Sequence, residues 1–207
     1  MKSKESSGKR ARGRPVLFDR DNVLDAAVLV FWEKGYDGSS LDNLTEAMGI
    51  KRPSLYAAFG NKRGLFEAAI DRYASTRGGL EFGVLQHDNE PRQVVSDFFK
   101  MSISCATEEG KPRGCMIANV ATGAAENDEL LRTKLANMFD QTDEGIARRF
   151  RADEESGRLP EGLDPDTLAQ MVHSVIHSIK TRARAGATGE QLSEIAGSFV
   201  EMFFSKK

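Results

Sequence analysis

The chain has 207 residues, 40% hydrophobic and 8% aromatic, enough for one large packed domain or two small ones and too apolar for a disordered chain. No apolar run reaches the ~18 residues of a membrane helix, the basic N-terminus lacks the apolar stretch of a secretory signal, and the two cysteines, Cys105 and Cys115, make no disulfide framework, so a cytoplasmic protein with reduced thiols is expected. The net charge of −2 hides an asymmetry: residues 1–72 hold 13 Lys and Arg against 10 Asp and Glu, whereas residues 73–207 hold 16 against 21.

Residues 1–14 carry six basic groups (Lys2, Lys4, Lys9, Arg10, Arg12, Arg14) against Glu5 and show no apolar periodicity, so they read as a disordered basic arm. Residues 15–62 read as a three-helix head. Asp19 to Gly35 predicts one amphipathic helix with Leu24, Ala27, Val28 and Phe31 on one side. Ser39 or Ser40 can cap a second helix, in which Leu44 and Met48 share a face. Gly49 can take the left-handed conformation that ends it. Ile50, Leu55 and Phe59 then mark a third short helix, where Pro53 is tolerated in the first turn. Two short helices joined by a tight glycine turn form the helix-turn-helix unit, whose second helix enters the DNA major groove.

Residues 63–207 read as a larger helical body. The fourth helix starts at Asn61 and runs to about Thr76 with Leu65, Phe66, Ala69, Ile70 and Tyr73 as its stripe; Gly78-Gly79 should break it. Pro91 opens a helix with Val94, Val95, Phe98, Phe99, Ser102 and Ile103 at helical spacing. Glu108–Gly114 is a loop, and Cys115 to Ala125 is short and helical. Asn127 is expected to cap a long helix to Ser156, stopped by Gly157, with Leu131, Leu135, Met138, Thr142, Ile146 and Phe150 inward. Asp164-Pro165 opens a helix carrying Leu168, Met171, Val172, Val175, Ile176 and Ile179. The last helix carries Leu192, Ile195, Ala196, Phe199 and Phe203. No strand alternation and no internal repeat occurs. The fold class is therefore all-α: a three-helix helix-turn-helix head plus a helical body, about nine helices in total.

The order of landmarks over residues 15 to 72 is more specific than a generic helix-turn-helix. An apolar helix ends in Phe31 and Gly35-Tyr36; a Ser39/Ser40 cap, a Gly49-Ile50 turn, Leu55-Tyr56, Phe59, Asn61-Lys62 and Leu65-Phe66 follow in register. This resembles the TetR/AcrR family of bacterial transcription regulators. The chain departs from the family pattern at Thr45, usually Ala at a tight helix crossing, at Lys51, usually a capping residue, and at Gly64, commonly Glu. Without Glu at 64, Asn61 lacks a capping-box partner, and a reading head less stiff than the family norm is expected.

On the reading helix, Leu55 and Phe59 must point inward, leaving Lys51, Ser54, Ala57 and Ala58 outward. Lys51 or Arg52 suits guanine O6/N7, Ser54 suits either base type, and Ala57 suits a thymine methyl. The resemblance implies phosphate contacts from Tyr56 and Lys62, and Ser40 stands at another phosphate position. Arg12-Gly13-Arg14-Pro15 resembles the core of an AT-hook, whose arginines lie in a narrow A·T minor groove. The alternative is a plain basic tail that adds salt-sensitive affinity.

The resemblance also implies a double-stranded, palindromic operator, a homodimer and a small-molecule effector. The two last helices would meet their copies through Leu168, Val172, Val175, Ile176, Ile179, Leu192, Ile195, Phe199 and Phe203; in a monomer the same stripes would pack on the body. Phe98, Phe99, Cys115, Met116, Asn119, Met138 and Phe139 are candidates for the effector pocket, or else plain core. Cys115 opens Gly114–Asn119, a segment similar to one in a branch of the family where a cysteine senses electrophiles or oxidants; the alternative is a small buried hydrophobe. No catalytic motif, cofactor site or metal site is expected. Two other functions fit parts of the sequence: a constitutive DNA-architectural protein, and an enzyme using His173 and His177 as a metal pair. Those two histidines, four apart, fall opposite the Leu168/Val172/Val175/Ile179 stripe with Gln170 and Arg184, where a solvated or subunit-facing pair is expected.

Overall fold

The computed structural model describes residues 18–204. Among these every regular element is helical: α1 (Arg20–Gly38), α2 (Leu41–Met48), α3 (Arg52–Phe59), α4 (Lys62–Tyr73), α5 (Gly79–Gly83), α6 (Pro91–Thr107), α7 (Thr122–Ala124), α8 (Glu129–Glu155), α9 (Pro165–Arg184) and α10 (Gly189–Phe204). The arm, with Arg12 and Arg14, lies outside the described residues.

Caps explain most boundaries. Asp19 accepts the amides of Asp21 and Asn22 and starts α1. Gly35, at φ 75° and ψ 173°, kinks its end. Asp164 accepts the Thr167 amide at 2.8 Å, with Pro165 next, and starts α9. The cap of α8 is Asp128 rather than the expected Asn127: its carboxylate accepts the Leu131 amide at 2.9 Å. That carboxylate also pairs with Arg63 of α4, an ion pair the neutral Asn127 could not make.

The expected break at Gly78-Gly79 does not occur. Both residues hold right-handed helical torsions, φ/ψ of −60°/−42° and −56°/−39°. α4 passes through a π turn, Ala74–Gly78, into α5 and a 3₁₀ turn, Val84–Gln86. Glycine lowers helix propensity by only about 1 kcal/mol, and tertiary packing overrides that. A second π turn, Ile117–Ala121, runs into α7. With these runs joined, the described residues form nine helical rods.

Two apolar cores result. The first gathers α1 to α4 around Phe31, Trp32, Leu44, Leu55 and Phe66, and takes in Cys115, Met116, Val120 and the start of α8 at Leu131 and Leu135. The second gathers α6, the far half of α8, α9 and α10 around Phe98, Phe99, Phe150, Val172 and Ile179. α8, 27 residues and so about 40 Å long, serves both. The head core is therefore closed by body residues.

The apolar stripes of the last two helices are mostly internal. Leu168, Val172, Ile176, Ile179, Leu192 and Phe199, expected at a partner interface, are buried in the chain's own second core. The physical reason is α6: its Phe99 meets Phe199 edge-on at 5.5 Å and consumes that face. Val175, Ile195 and Phe203 remain half-buried. Beside them Met171 is 38% exposed and Met202 is 77% exposed.

Candidate DNA-reading face and effector cavity

The reading face is built on short, firmly capped elements. Ser40 accepts the Asn43 amide at 3.0 Å, and Asn43 returns the bond to the Ser40 amide at 3.4 Å, closing a capping box. Ser39 is buried instead, its hydroxyl donating to the Gly35 carbonyl at 2.6 Å. α2 ends at Gly49 in the left-handed region, φ 63° and ψ 24°, and the Ile50 amide turns back to the Thr45 carbonyl at 3.1 Å. Thr45 occupies the helix crossing with its hydroxyl bonded to the Leu41 carbonyl at 2.8 Å, so the polar atom is satisfied there. Lys51 forms the α3 cap with no side-chain hydrogen bond.

Leu55 and Phe59 face the head core, while Lys51, Arg52, Tyr56 and Ala57 are exposed and Ser54 is half-buried. Ala58, expected outward, packs half-buried against the head core. Arg52 is not free: its guanidinium reaches back to Asp42 of α2 at 2.6 Å, both side chains being more than half exposed. Lys62 rides 4.5 Å above the Tyr36 ring, a cation–π contact that holds the ammonium beside the turn into α4. Ser40, Lys51, Arg52, Tyr56 and Ala57 thus share an exposed rim around α2 and α3.

Gly64 has a reason that the sequence did not reveal. Gly60 sits at φ 77° and ψ −56°, and the Asn61 amide bonds the Phe59 carbonyl at 2.9 Å in a tight γ-turn. That carbonyl points at Gly64, where a Cβ would stand 2.2 Å from it. The Asn61 side chain accepts the Gly64 amide at 2.9 Å and completes the junction.

The body holds a mostly apolar, partly open cavity of about 240 Å³ between the α4–α5 rod, α6, α8 and α9. Phe98, Cys115, Met138 and Phe139 line it as the sequence suggested. The other three candidates lie elsewhere. Phe99 packs on Phe199. Met116 is fully buried in the head core. Asn119 is tied down, accepting the Cys115 amide at 2.8 Å next to Gly114, whose φ of 84° brings it against the Lys180 carbonyl.

The sequence reading missed the polar wall. His173 and His177, expected in solvent or against a partner, line the cavity with Lys180. α9 buries two faces, one on α6 and α10 and one toward α8, and the histidines occupy the second. His173 Nδ1 lies 2.6 Å from Asp143 of α8, and its Nε2 lies 3.0 Å from His177 Nε2. The Phe139 ring stands edge-on to His177 at 5.1 Å. Burial lowers the pKa of His173 against the pull of Asp143. Burial, then His173 and Lys180, lowers that of His177 to about 4, so His177 is neutral at pH 7.

Lys180 pairs with the buried Glu81 at 2.8 Å. Burial opposes the ammonium, but Cys115 and Glu81 outweigh it and raise its pKa. Tyr73 is driven well upward by burial and then by Cys115, so its phenol stays protonated. The sequence signal for this wall is a lysine within an apolar helix, three residues from His177. Among the described residues, no three of His, Cys, Asp or Glu are grouped to hold a metal ion. Nor is any described helix long and apolar enough to cross a membrane.

Comparison with known proteins agrees with this architecture. Residues 23–69 match the family described as bacterial regulatory proteins, tetR family, and residues 91–199 match the tetracyclin repressor-like C-terminal domain. The HTH-type transcriptional repressor ComR of Escherichia coli (strain K12) is 34% identical over 198 residues, covering 94% of this chain and 93% of that protein. The repressor BdcR from the same organism is 28% identical over 187 residues, 90% of each chain. The chain is also similar in structure to a cysteine mutant of the TetR family transcriptional regulator CifR complexed with 26-bp operator DNA, with a TM-score of 0.85, 32% identity, and 92% and 100% of the two chains covered.

Proposed function

Since the chain belongs to the TetR family of bacterial regulatory proteins and is a sequence-specific DNA-binding transcriptional regulator rather than an enzyme, we propose that it acts as a homodimeric repressor, released from a palindromic operator when a small molecule fills the body cavity. One observation carries this reading: the rod that begins at Lys62, beside the reading helix, continues unbroken to Gly79, Glu81 and Phe82 in the cavity wall. A ligand shifts the equilibrium only through unequal affinity for two states. A rod shared by cavity and head gives that inequality a mechanical outlet, because tilting it moves the reading helix.

In this division of labour residues 1–14 form the basic arm, 15–62 the reading head and 63–207 the effector and dimerisation body. Lys51, Arg52, Ser54 and Ala57 face base edges. Ser40, Tyr56 and Lys62 neutralise or bond phosphate, and Arg12 and Arg14 reach into the minor groove or add phosphate neutralisation. The operator relationship of CifR at 32% identity supports the DNA half of this assignment. A two-fold dimer reads two half-sites about 34 Å apart, which a single short helix cannot. Its interface uses what the internal core leaves of α9 and α10: the exposed Met171 and Met202 with the half-buried Val175, Ile195 and Phe203. The cytoplasm, where the chromosome lies, is its place of action.

The test begins with selection of bound sites from random DNA using the full chain. A palindromic site, protected as two half-sites by a protein that sediments as a dimer, is the expected result. A protein monomeric at micromolar concentration, with and without DNA, overturns the dimeric reading and favours a constitutive architectural role.

A further inference from the structure

The cavity wall is unusual in where its protons go, and that bears on what it binds. Burial keeps the His173 ring neutral, and with Asp143 accepting, the 2.6 Å contact places the His173 proton on Nδ1. His173 Nε2 is then an acceptor, and the 3.0 Å contact requires His177 to donate from Nε2. The chain of donation ends on His177 Nδ1, an acceptor with no protein partner among the described residues, on a ring that lines the cavity. The neighbouring hydroxyls follow the same rule. Thr142 spends its proton on the Met138 carbonyl at 2.9 Å, and Ser75 spends its own on the Arg72 carbonyl at 3.0 Å. Each of these lining groups is left to accept rather than donate.

Two lining groups are donors, the protonated Tyr73 phenol and Lys180. Lys180 is the charged one. It gives one N–H to Glu81 and keeps two others, on the same wall as His177 and one helical turn along. A single hydroxyl oxygen can both donate to His177 and accept from Lys180. Its body must be apolar and flat enough to lie among Phe82, Phe98 and Phe139, and 240 Å³ admits one or two rings. An anion is disfavoured, because the one ammonium of the wall is already paired with Glu81 and Asp143 adds further negative charge. A cation would be stripped of water with both carboxylates already engaged.

Resting on the effector reading above, we propose that the cavity binds an uncharged, ring-sized hydroxyl compound of the phenol type, with its hydroxyl donated to His177. The hydroxyl sets orientation and the rings supply affinity, as an apolar pocket with few polar groups ordinarily works.

Titration calorimetry of the full chain with four matched probes tests this: naphthol, naphthalene, naphthoate and naphthylmethylammonium. Naphthol should bind about tenfold more tightly than naphthalene, the value of one hydrogen bond, and the two ions more weakly than naphthalene. His177→Phe should erase the naphthol advantage while naphthalene still binds, which also shows that the variant is folded. His177→Gln, whose amide oxygen restores an acceptor, should recover part of it. Equal binding of naphthol and naphthalene, tightest binding of either ion, or a naphthol advantage that survives His177→Phe overturns the proposal while the effector cavity stands. Binding of none of the four overturns the effector reading along with it.

Discussion

Arg52 shows how a residue can be assigned from sequence while its resting state is not. Its position at the N-terminal end of the second motif helix was legible; the partner Asp42, ten residues back on α2, was not, because nothing in a linear pattern says that two helices will cross there. The pair is exposed on both sides, so it is worth at most a few tenths of a kcal/mol and parks the guanidinium without locking it. Arg52→Ala should weaken binding to the selected operator by about 1–3 kcal/mol and leave binding to random DNA nearly unchanged, if Arg52 reads a base. Equal losses on both DNAs, measured by fluorescence anisotropy at one salt concentration, would assign it to phosphate.

His177 gives a second residue-level expectation. In the unfolded chain it titrates near 6.5; in the fold it stays neutral down to about pH 4. Between these values the unfolded state binds more protons, so stability is fully present above pH 6.5 and falls as the pH drops through the interval. Solvent still reaches part of the ring, so the loss is about 1–2 kcal/mol rather than the full shift. Urea midpoints from pH 7 to 4 should fall less steeply for His177→Gln than for the parent. Identical slopes would show that the histidine wall does not oppose folding in acid. The carboxylates held low by arginines or a helix cap, such as Asp25, Asp88 and Asp164, act below this window.

At the scale of the element, glycine was the hardest residue to read. Gly49 was legible because a turn between two apolar faces demands a left-handed residue. Gly78-Gly79 was misread as a break because propensity is a weak prior, whereas the rod's flanks, Tyr73 and Val84, are held by packing on both sides of it. Gly64 was read only as a missing cap partner, since the carbonyl that forbids a side chain comes from a turn whose shape the sequence does not display. The two cases predict opposite signs. Gly78→Ala meets open space in a right-handed helix and should stabilise the fold by about 0.5–1 kcal/mol. Gly64→Ala must displace backbone 2.2 Å away and should cost about 1–3 kcal/mol despite the better helix former. Thermal denaturation of both variants checks this, and a stabilised Gly64→Ala would mean that the α3–α4 junction relaxes freely.

At the scale of the whole molecule, the fold class and the head were legible because helical periodicity and caps are local, whereas the destination of each apolar stripe was not. A buried face looks the same in sequence whether it meets its own chain or a second copy. Ile176 and Phe199 illustrate this: both sit mid-stripe, and both are spent on the internal core. A charge at either is buried without a partner and should cost several kcal/mol of folding stability, giving an unfolded body rather than a clean monomer. The residues left over tell the two fates apart. Met171, Val175, Ile195 and Met202 fall on one outward side of α9 and α10, and Met202 is largely bare. Met171→Arg and Met202→Glu should therefore shift sedimentation from dimer to monomer while the thermal midpoint of the monomer core changes little. Protection of a two-half-site operator should disappear, and salt-sensitive binding to random DNA should persist, because the basic groups of the head are untouched. If instead the double variant remains a dimer with full operator protection, the partner face lies off α9 and α10, and the proposed coupling from cavity through the α4–α5 rod must reach the second head by another surface.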